Sequence, residues 1–349
     1  MTLNPTRQAA LRSLIGCIQS QRTVDIDWFG VIALANETLT TSVLAHKLAS
    51  KRCPEVPFQV QRFLQEVLAR NTQRNMKARQ QLVELLDALN TIGIFPVLLK
   101  GTSALISDHE LSTRLISDLD LLVVESEFPR AVQCLYDLGY EFLNAVPTMA
   151  ASFGRPNDVG PIDLHAKIAG LGKNQHVIWD KRVPVDIEAV KAYLPSPSCQ
   201  LIVLIVHDQL HDADYWRGLI DLRHMIDMHN LISHSEIDWE FVEELLSGPP
   251  IQNAFRTQMK TLSELFSIQV PQRIVSNFAC RFQFWRRMIQ LDHSSLGVLF
   301  LVLTLVLEFP SVFFKGSSPP SSSLVGTIRS RLRVKGIRRL WAAKALGKV

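Results

Sequence analysis

Over residues 1–92 apolar positions recur every three or four residues, the spacing of one helix face. The clearest stretch is Phe58–Leu89. There Phe63, Val67, Leu68, Leu82, Leu85, Leu86 and Leu89 keep that spacing, and polar residues such as Gln61, Arg62, Arg74, Lys77 and Arg79 fill the gaps. Pro54 and Pro57 punctuate the chain just before it. The pattern then changes. Ile94–Leu99 and Leu119–Val124 are short apolar runs and predict buried strands. Glu127–Leu138 returns to helical spacing and predicts a helix that stops at Gly139 in a left-handed cap. Tyr140–Phe142 and Pro161–His165 predict further short strands. The pattern predicts an α+β fold: a small mixed-sheet core over 93–195 between a helical N-terminal region, 1–92, and a helical C-terminal domain, 196–314.

Helical patterning resumes at Ser198 and runs to Leu246, with a further stretch at about 251–290. No internal repeat of solenoid length is present. Leu296–Leu307 is the most apolar segment and closes on Glu308 and Pro310. A spanning helix needs about 20 apolar residues. A buried core helix is therefore expected, with an interfacial or membrane-inserted helix as the alternative. Residues 315–323, KGSSPPSSS, have linker composition. Beyond them Leu324, Ile328 and Leu332 repeat at four, so the 315–349 tail could carry an amphipathic helix.

Composition sharpens this picture in two places. Hydrophobic residues make up 47% and charged residues 20%, which excludes a disordered chain. The five cysteines are odd in number and lie outside metal-ligand spacing, so neither a disulfide framework nor a zinc knuckle is expected. Buried thiols in a reducing cytosol fit them, and the N-terminus is too polar for a secretory signal. Charge is the second place. The whole chain holds 37 basic and 33 acidic residues, yet Phe309–Val349 has nine basic residues and no acidic one. The body is mildly acidic and the tail strongly basic. A cytoplasmic protein is expected, with two candidate partners for the tail: a nucleic acid, or an anionic membrane surface held peripherally.

The candidate chemistry lies between the first two strands and on a later one. Asp118 and Asp120 are two apart, so on a strand they share a face. Two unpaired carboxylates beside a core are costly. A divalent cation, Mg²⁺ or Mn²⁺, resolves that cost, and Mg²⁺ is often held by one or two carboxylates plus substrate phosphates. The bland alternative has Asp118 capping a turn and Asp120 paired with Arg114. Gly101, Thr102 and Ser103 follow an apolar strand directly, with Lys100 beside them. A glycine lets a phosphate approach the backbone, and a helix opening at Ser103 or Ala104 would offer free N–H groups to an anion. Asp163 alternates with Ile162 and Leu164 and is the candidate third acid, and His165 lies on the same face. His207 and His211 share one helix face, but no third ligand follows at a clear spacing. Asp221, Arg223, His224 and Asp227 read as an ion-pair network on one helix.

These residues together resemble a known family. A Gly-Ser/Thr turn after a strand, D-x-D on the next strand and a lone Asp on a later one resemble the DNA polymerase beta-like nucleotidyltransferase superfamily. Leu99-Lys100-Gly101 with Leu105, Arg114 through Val123, and Asp163-Leu164-His165 look most like the bacterial uncharacterised nucleotidyltransferase family proteins. The resemblance covers roughly residues 25–290. It implies transfer of a nucleoside monophosphate from an NTP, with ATP the leading candidate, to an acceptor, with release of pyrophosphate. Asp118, Asp120 and Asp163 would be catalytic and hold the metal. Lys100, Gly101, Thr102, Ser103, Arg114 and His165 would bind the nucleotide. The acceptor could be an RNA, a protein or peptide, or a small molecule. The rival readings are a non-catalytic binding protein of the same fold and a surface binder acting through the tail. Removing Asp118 or Asp120 is expected to abolish transfer, keep the fold and relieve like-charge repulsion.

Overall fold

A computed structural model describes residues 6–21, 25–49, 56–107, 111–146, 150–248 and 250–313. Three helices come first: α1 (Arg7–Ile18), α2 (Trp28–Glu37) and α3 (Thr41–Ala49). The long amphipathic run forms α4 (Phe58–Thr91), 34 residues and about 50 Å at 1.5 Å per residue. Its C-terminal half buries Ala78, Leu82, Leu85, Leu86 and Leu89.

The strands are β1 (Val97–Leu98), β2 (Leu119–Leu122), β3 (Glu141–Val146), β4 (Ala150–Gly154), β5 (Ile162–His165), β6 (Arg182–Ile187) and β7 (Val190–Pro195). Helix α5 (Phe128–Asp137) joins β2 to β3 and stops at Gly139, whose φ of +82° is the left-handed cap that the pattern predicts. Helix α6 (His176–Asp180) lies before β6. One seven-stranded mixed sheet results, in the order β3-β4-β5-β2-β1-β7-β6. β2 runs parallel to β5 and β1 parallel to β7, and the other neighbours are antiparallel. The sheet is larger than the pattern predicts. β4, with the sequence AASFG, has no β-branched residue to announce it, and β6 carries charge and Pro184 at a largely exposed edge.

Eight helices follow: α7 (Pro197–Val206), α8 (Asp214–Arg217), α9 (Leu222–His234), α10 (Trp239–Leu245), α11 (Ile251–Phe266), α12 (Gln272–Val275), α13 (Phe278–Asp292) and α14 (Gly297–Phe313). A π-helical turn, His207–His211, continues α7.

Two cores meet at the sheet. Leu98, Leu119, Leu121, Val123, Ile162 and Leu164 pack with Leu82, Leu85 and Leu89 of α4 and Leu135 of α5. The alternate residues Val97, Leu99 and Leu122 point to the other side, into a core built by α1–α3 with α7 and α9–α13. The helical region over 1–92 therefore divides within α4: α1–α3 and the start of α4, through Leu64, join the C-terminal helices, and the C-terminal half of α4 joins the sheet. Residues two apart on a strand share a face, so Asp120 lies on the side of Leu122, toward the helical body.

The apolar segment at 296–307 is not a buried core helix. Helix α14 buries Phe300, Thr304 and Glu308 along one line and leaves Val298, Leu299, Val302, Leu303, Val306 and Leu307 exposed. Among the described residues, no helix is long and apolar enough to cross a membrane. The four described cysteines, Cys17, Cys134, Cys199 and Cys280, are buried and form no disulfide among the described residues. Cys53, the linker at 315–323 and the basic tail lie outside the described residues.

Candidate active site

Parallel pairing of β2 and β5 sets Asp120 directly opposite Asp163. Both come from chains of alternating apolar residues whose other face is core, so register alone forces the carboxylates together. The Asp120 side chain is almost fully buried. Lys100 Nζ lies 2.7 Å from Asp120 Oδ1, and His165 Nε2 lies 3.1 Å from the same oxygen. Burial alone would raise the pKa of Asp120, but Lys100 and His165 outweigh it and hold the carboxyl well below the usual carboxylate range. Burial likewise works against the Lys100 ammonium, and the charge of Asp120 overcomes it and raises the lysine. Asp163 goes the other way. Burial pushes it up, and the charges of Asp120 and Asp118 add to that against a hydrogen bond donated by Ser152 Oγ. Ser152 faces Asp163 across the β4–β5 pairing.

Carboxylate or imidazole donor atoms of Asp120, Asp163 and His165 lie within 4.8 Å of one another. Asp118 is not in that group. It precedes β2, is half-buried and accepts a 2.8 Å hydrogen bond from Ser117 Oγ, and its charge reaches both Lys100 and Asp163. The donor set suits a hard divalent cation: two carboxylates opposed on neighbouring strands, one of them driven toward its protonated form by its neighbours.

The turn after β1 is a short 3₁₀ helix, Lys100–Leu105. Its brevity removes the aligned dipoles that an anion site at a longer helix would draw on. The strained residue here is Lys100, with φ +47°, and not Gly101. A left-handed conformation at a non-glycine residue needs support from its surroundings. The support is visible: Ser103 Oγ donates to Lys100 O at 2.7 Å, and the ammonium is held by Asp120. Thr102 is fully buried and its Oγ1 accepts from the Asp120 N–H at 2.7 Å. That hydroxyl ties the turn to β2 and does not face an incoming phosphate. Gly101 makes room for Arg114, since a Cβ at Gly101 would sit 3.0 Å from Arg114 Nη1. Arg114 pairs with Asp227 of α9 at 2.9 Å and not with Asp120.

The loop that carries Arg114 is pinned from α4. Asn75 Nδ2 donates to Leu111 O at 2.8 Å and Arg114 O at 2.5 Å, Asn71 Nδ2 reaches Arg114 O at 3.2 Å, and the Arg74 guanidinium reaches Ile116 O at 3.1 Å. Asn71, Asn75 and Gln81 interrupt the buried stripe of α4. That interruption was the one sequence signal for this role.

The family model of the uncharacterised nucleotidyltransferases matches residues 24–267. The chain belongs to this family. It is accordingly a transferase with a role in nucleotidyl transfer. No curated protein matches it. Among solved structures it is similar to an antigenic nucleotidyltransferase-like protein from Paracoccidioides brasiliensis, at 15% identity over 57% of this chain and 96% of that chain, with a TM-score of 0.38.

Around the acids of this nucleotidyltransferase, the helical body adds groups that spacing alone did not reveal. His207 and His211 stack with ring centroids 5.4 Å apart on the π turn. The third member of their neighbourhood is His224, from α9. Its Nδ1 lies 2.5 Å from Asp208 Oδ1 and 3.7 Å from Asp221 Oδ2. Burial works against charging this ring, but Asp208 and Asp221 outweigh it and raise its pKa. Burial and the Lys100 charge lower that of His207. The expected network on α9 thus forms in part: Asp221 caps the helix and holds His224 and Arg223, while Asp227 turns to Arg114. A cavity of about 290 Å³ opens between the 3₁₀ turn and helices α7 and α9, lined by Lys100, Ser103, Arg114, Gln200, Leu204 and Asp227 among others.

Proposed function

We propose that this nucleotidyltransferase moves a nucleoside monophosphate from an NTP, ATP first among the candidates, to an acceptor hydroxyl or phosphate with release of pyrophosphate. The observation that carries the reading is the opposition of Asp120 and Asp163 in register, with Asp118 two residues before Asp120 and Lys100 against it. Asp120 and Asp163 would hold Mg²⁺, or Mn²⁺ in its place, with Asp118 joining them from the residue before β2. When bound, the metal neutralises phosphate oxygens and polarises the α-phosphorus for attack. Asp163, with its raised pKa, is suited to accept the proton of an acceptor hydroxyl. The acceptor oxygen forms its bond to the α-phosphorus as the bond to the pyrophosphate oxygen breaks. Lys100 and Arg114 neutralise the departing charge. Gly101 and Ser103 border the phosphates, while Thr102 fixes their turn to β2. His165 orients Asp120. The cavity toward α7 and α9 receives the part of the substrate beyond the phosphates.

The test is calorimetry with ATP, GTP, CTP and UTP, with and without Mg²⁺ or Mn²⁺, on the wild-type protein and on Asp163→Asn. Metal-dependent binding of at least one nucleotide, lost in the variant, is expected. Wild-type protein that binds none of them, or a variant that binds equally well, would overturn the reading.

A further inference from the structure

Helix α14 turns its polar residues Thr304 and Glu308 inward beside Phe300, Leu301 and Leu305, and leaves a wholly apolar side turned out. Its one acidic residue, Glu308, is withdrawn into the protein. There it accepts from Tyr215 Oη at 2.5 Å and from Asn253 Nδ2 at 2.9 Å. Thr304 is buried beside it with the Arg286 guanidinium. The outward side carries only Val298, Leu299, Val302, Leu303, Val306 and Leu307, each 39–64% exposed. At 3.6 residues per turn these six cover roughly 180° of the helix. Trp285 of α13 extends the patch: it is half exposed, and its ring stands 5.8 Å from that of Phe300. An uncharged apolar face of this breadth marks a contact surface.

The sequence that follows says what kind of surface. Phe309–Val349 carries nine basic residues and no acidic one, so positive charge adjoins the C-terminal end of the apolar face. An anionic lipid surface takes both features at once, since the apolar face enters the acyl boundary and the basic segment meets the headgroups. Exposed tryptophan suits that boundary.

We propose that the outward face of α14 is a docking surface for an anionic lipid membrane, with α14 lying in the interface and not crossing it. Such placement would bring the transferase beside membrane-borne acceptors, but the docking itself does not depend on the transfer reaction.

Flotation of the full chain with vesicles tests this, using phosphatidylcholine alone and an equimolar mixture with phosphatidylglycerol. Flotation is expected with the anionic vesicles only, and high salt should weaken it. Val302→Glu/Val306→Glu changes exposed positions, so its thermal unfolding should match the wild type while binding falls by about tenfold or more. Arg331→Ala/Arg333→Ala/Arg338→Ala/Arg339→Ala should weaken binding by about fivefold for each charge removed. Three results would overturn the proposal. One is no flotation, or equal flotation on both vesicles. Another is unchanged binding by the Val302→Glu/Val306→Glu protein. The third is a stable dimer in light scattering that this variant dissociates, which would assign the face to a second copy.

Discussion

Asp120 and Asp163 face each other on neighbouring strands and are driven in opposite directions. Asp120 has a depressed pKa in the folded protein, because Lys100 and His165 outweigh its burial. Its charge therefore stabilises the fold above the unfolded value near 3.8, and that stability is lost as pH falls toward the folded value. Asp163 is raised, so stability falls as pH rises from the unfolded value near 3.8 through its folded value, and the full cost of its ionisation holds above that. Like-charge repulsion alone would make the loss of either acid of the D-x-D pair a relief. The geometry reverses that for Asp120, since Asp120→Asn leaves the Lys100 ammonium buried without its partner. Breaking such a pair costs about 3 kcal/mol or more. Urea unfolding at neutral pH in a chelator should show Asp120→Asn destabilised by that order and Asp163→Asn equal to or above wild type. Equal destabilisation of both would refute this account of their environments. The sequence singled out Asp118, Asp120, Asp163, Lys100 and Arg114, because carboxylates that interrupt short apolar strands require a cation to answer them; the structure brings Asp120, Asp163 and Lys100 together, leaves Asp118 at the edge of that cluster and turns Arg114 to Asp227. Ser152 was not singled out, and His224 and Asp227 were read only as part of an ion-pair network on their own helix, whereas their partners are Asp208 and Arg114. Each matters through a partner chosen by sheet register or helix packing, and no local spacing encodes that choice.

Two elements hold the site from outside it. Helix α4 carries asparagines where a purely apolar stripe would pack better, and they satisfy the carbonyls of the Arg114 loop. Asn75→Ala removes hydrogen bonds to both Leu111 O and Arg114 O. A buried group left unsatisfied costs about 1–3 kcal/mol. The expected outcome is a loss of that size, with faster amide exchange over residues 111–117 than over the rest of the chain. Uniform acceleration would mean that Asn75 serves the whole fold and not the loop. The second element is the junction of the π turn with α9. His224 bridges Asp208 on the turn and Asp221 at the helix cap. Its folded pKa is raised, so its contribution is full below the unfolded value near 6.5 and is lost as pH rises through the folded value. The melting temperature of His224→Asn should therefore fall furthest below wild type at about pH 6, and the gap should narrow toward about pH 9. A gap independent of pH would mean that His224 acts by packing alone. The long amphipathic run and the glycine stop after α5 were visible in advance because they rest on local periodicity. The extent of the sheet was not, because β4 has no β-branched residue and Pro184 interrupts the alternation of Val183, Val185 and Ile187 in β6.

For the molecule as a whole, the sheet joins two cores, and α4 reaches both, with Leu64 in the helical body and Leu82, Leu85 and Leu89 beside the sheet. Leu121 belongs to the core with α4 and α5, whereas Leu122, next in the chain, belongs to the helical body. The site lies on the second side, between the strands that carry the acids and the helices that carry His207, His224 and Asp227. Its geometry therefore exists only while both cores are folded. Tryptophan placement makes this testable, because none of the six tryptophans lies in the stretch from α4 to β5: Trp28, Trp179, Trp216, Trp239 and Trp285 flank it, and Trp341 lies outside the described residues. Their fluorescence reports the helical body and not the α4-side core. Leu121→Ala removes a fully buried side chain from that silent core, at a cost of about 2–5 kcal/mol. If the cores unfold as one, the urea midpoint read by tryptophan fluorescence must move by the same amount as the midpoint read by far-ultraviolet circular dichroism. If the fluorescence midpoint stays at its wild-type position while the dichroism curve splits, the helical body is stable alone. The acids would then be the part of the site that is lost first, and a substrate bound across the two layers would raise only the lower of the two transitions.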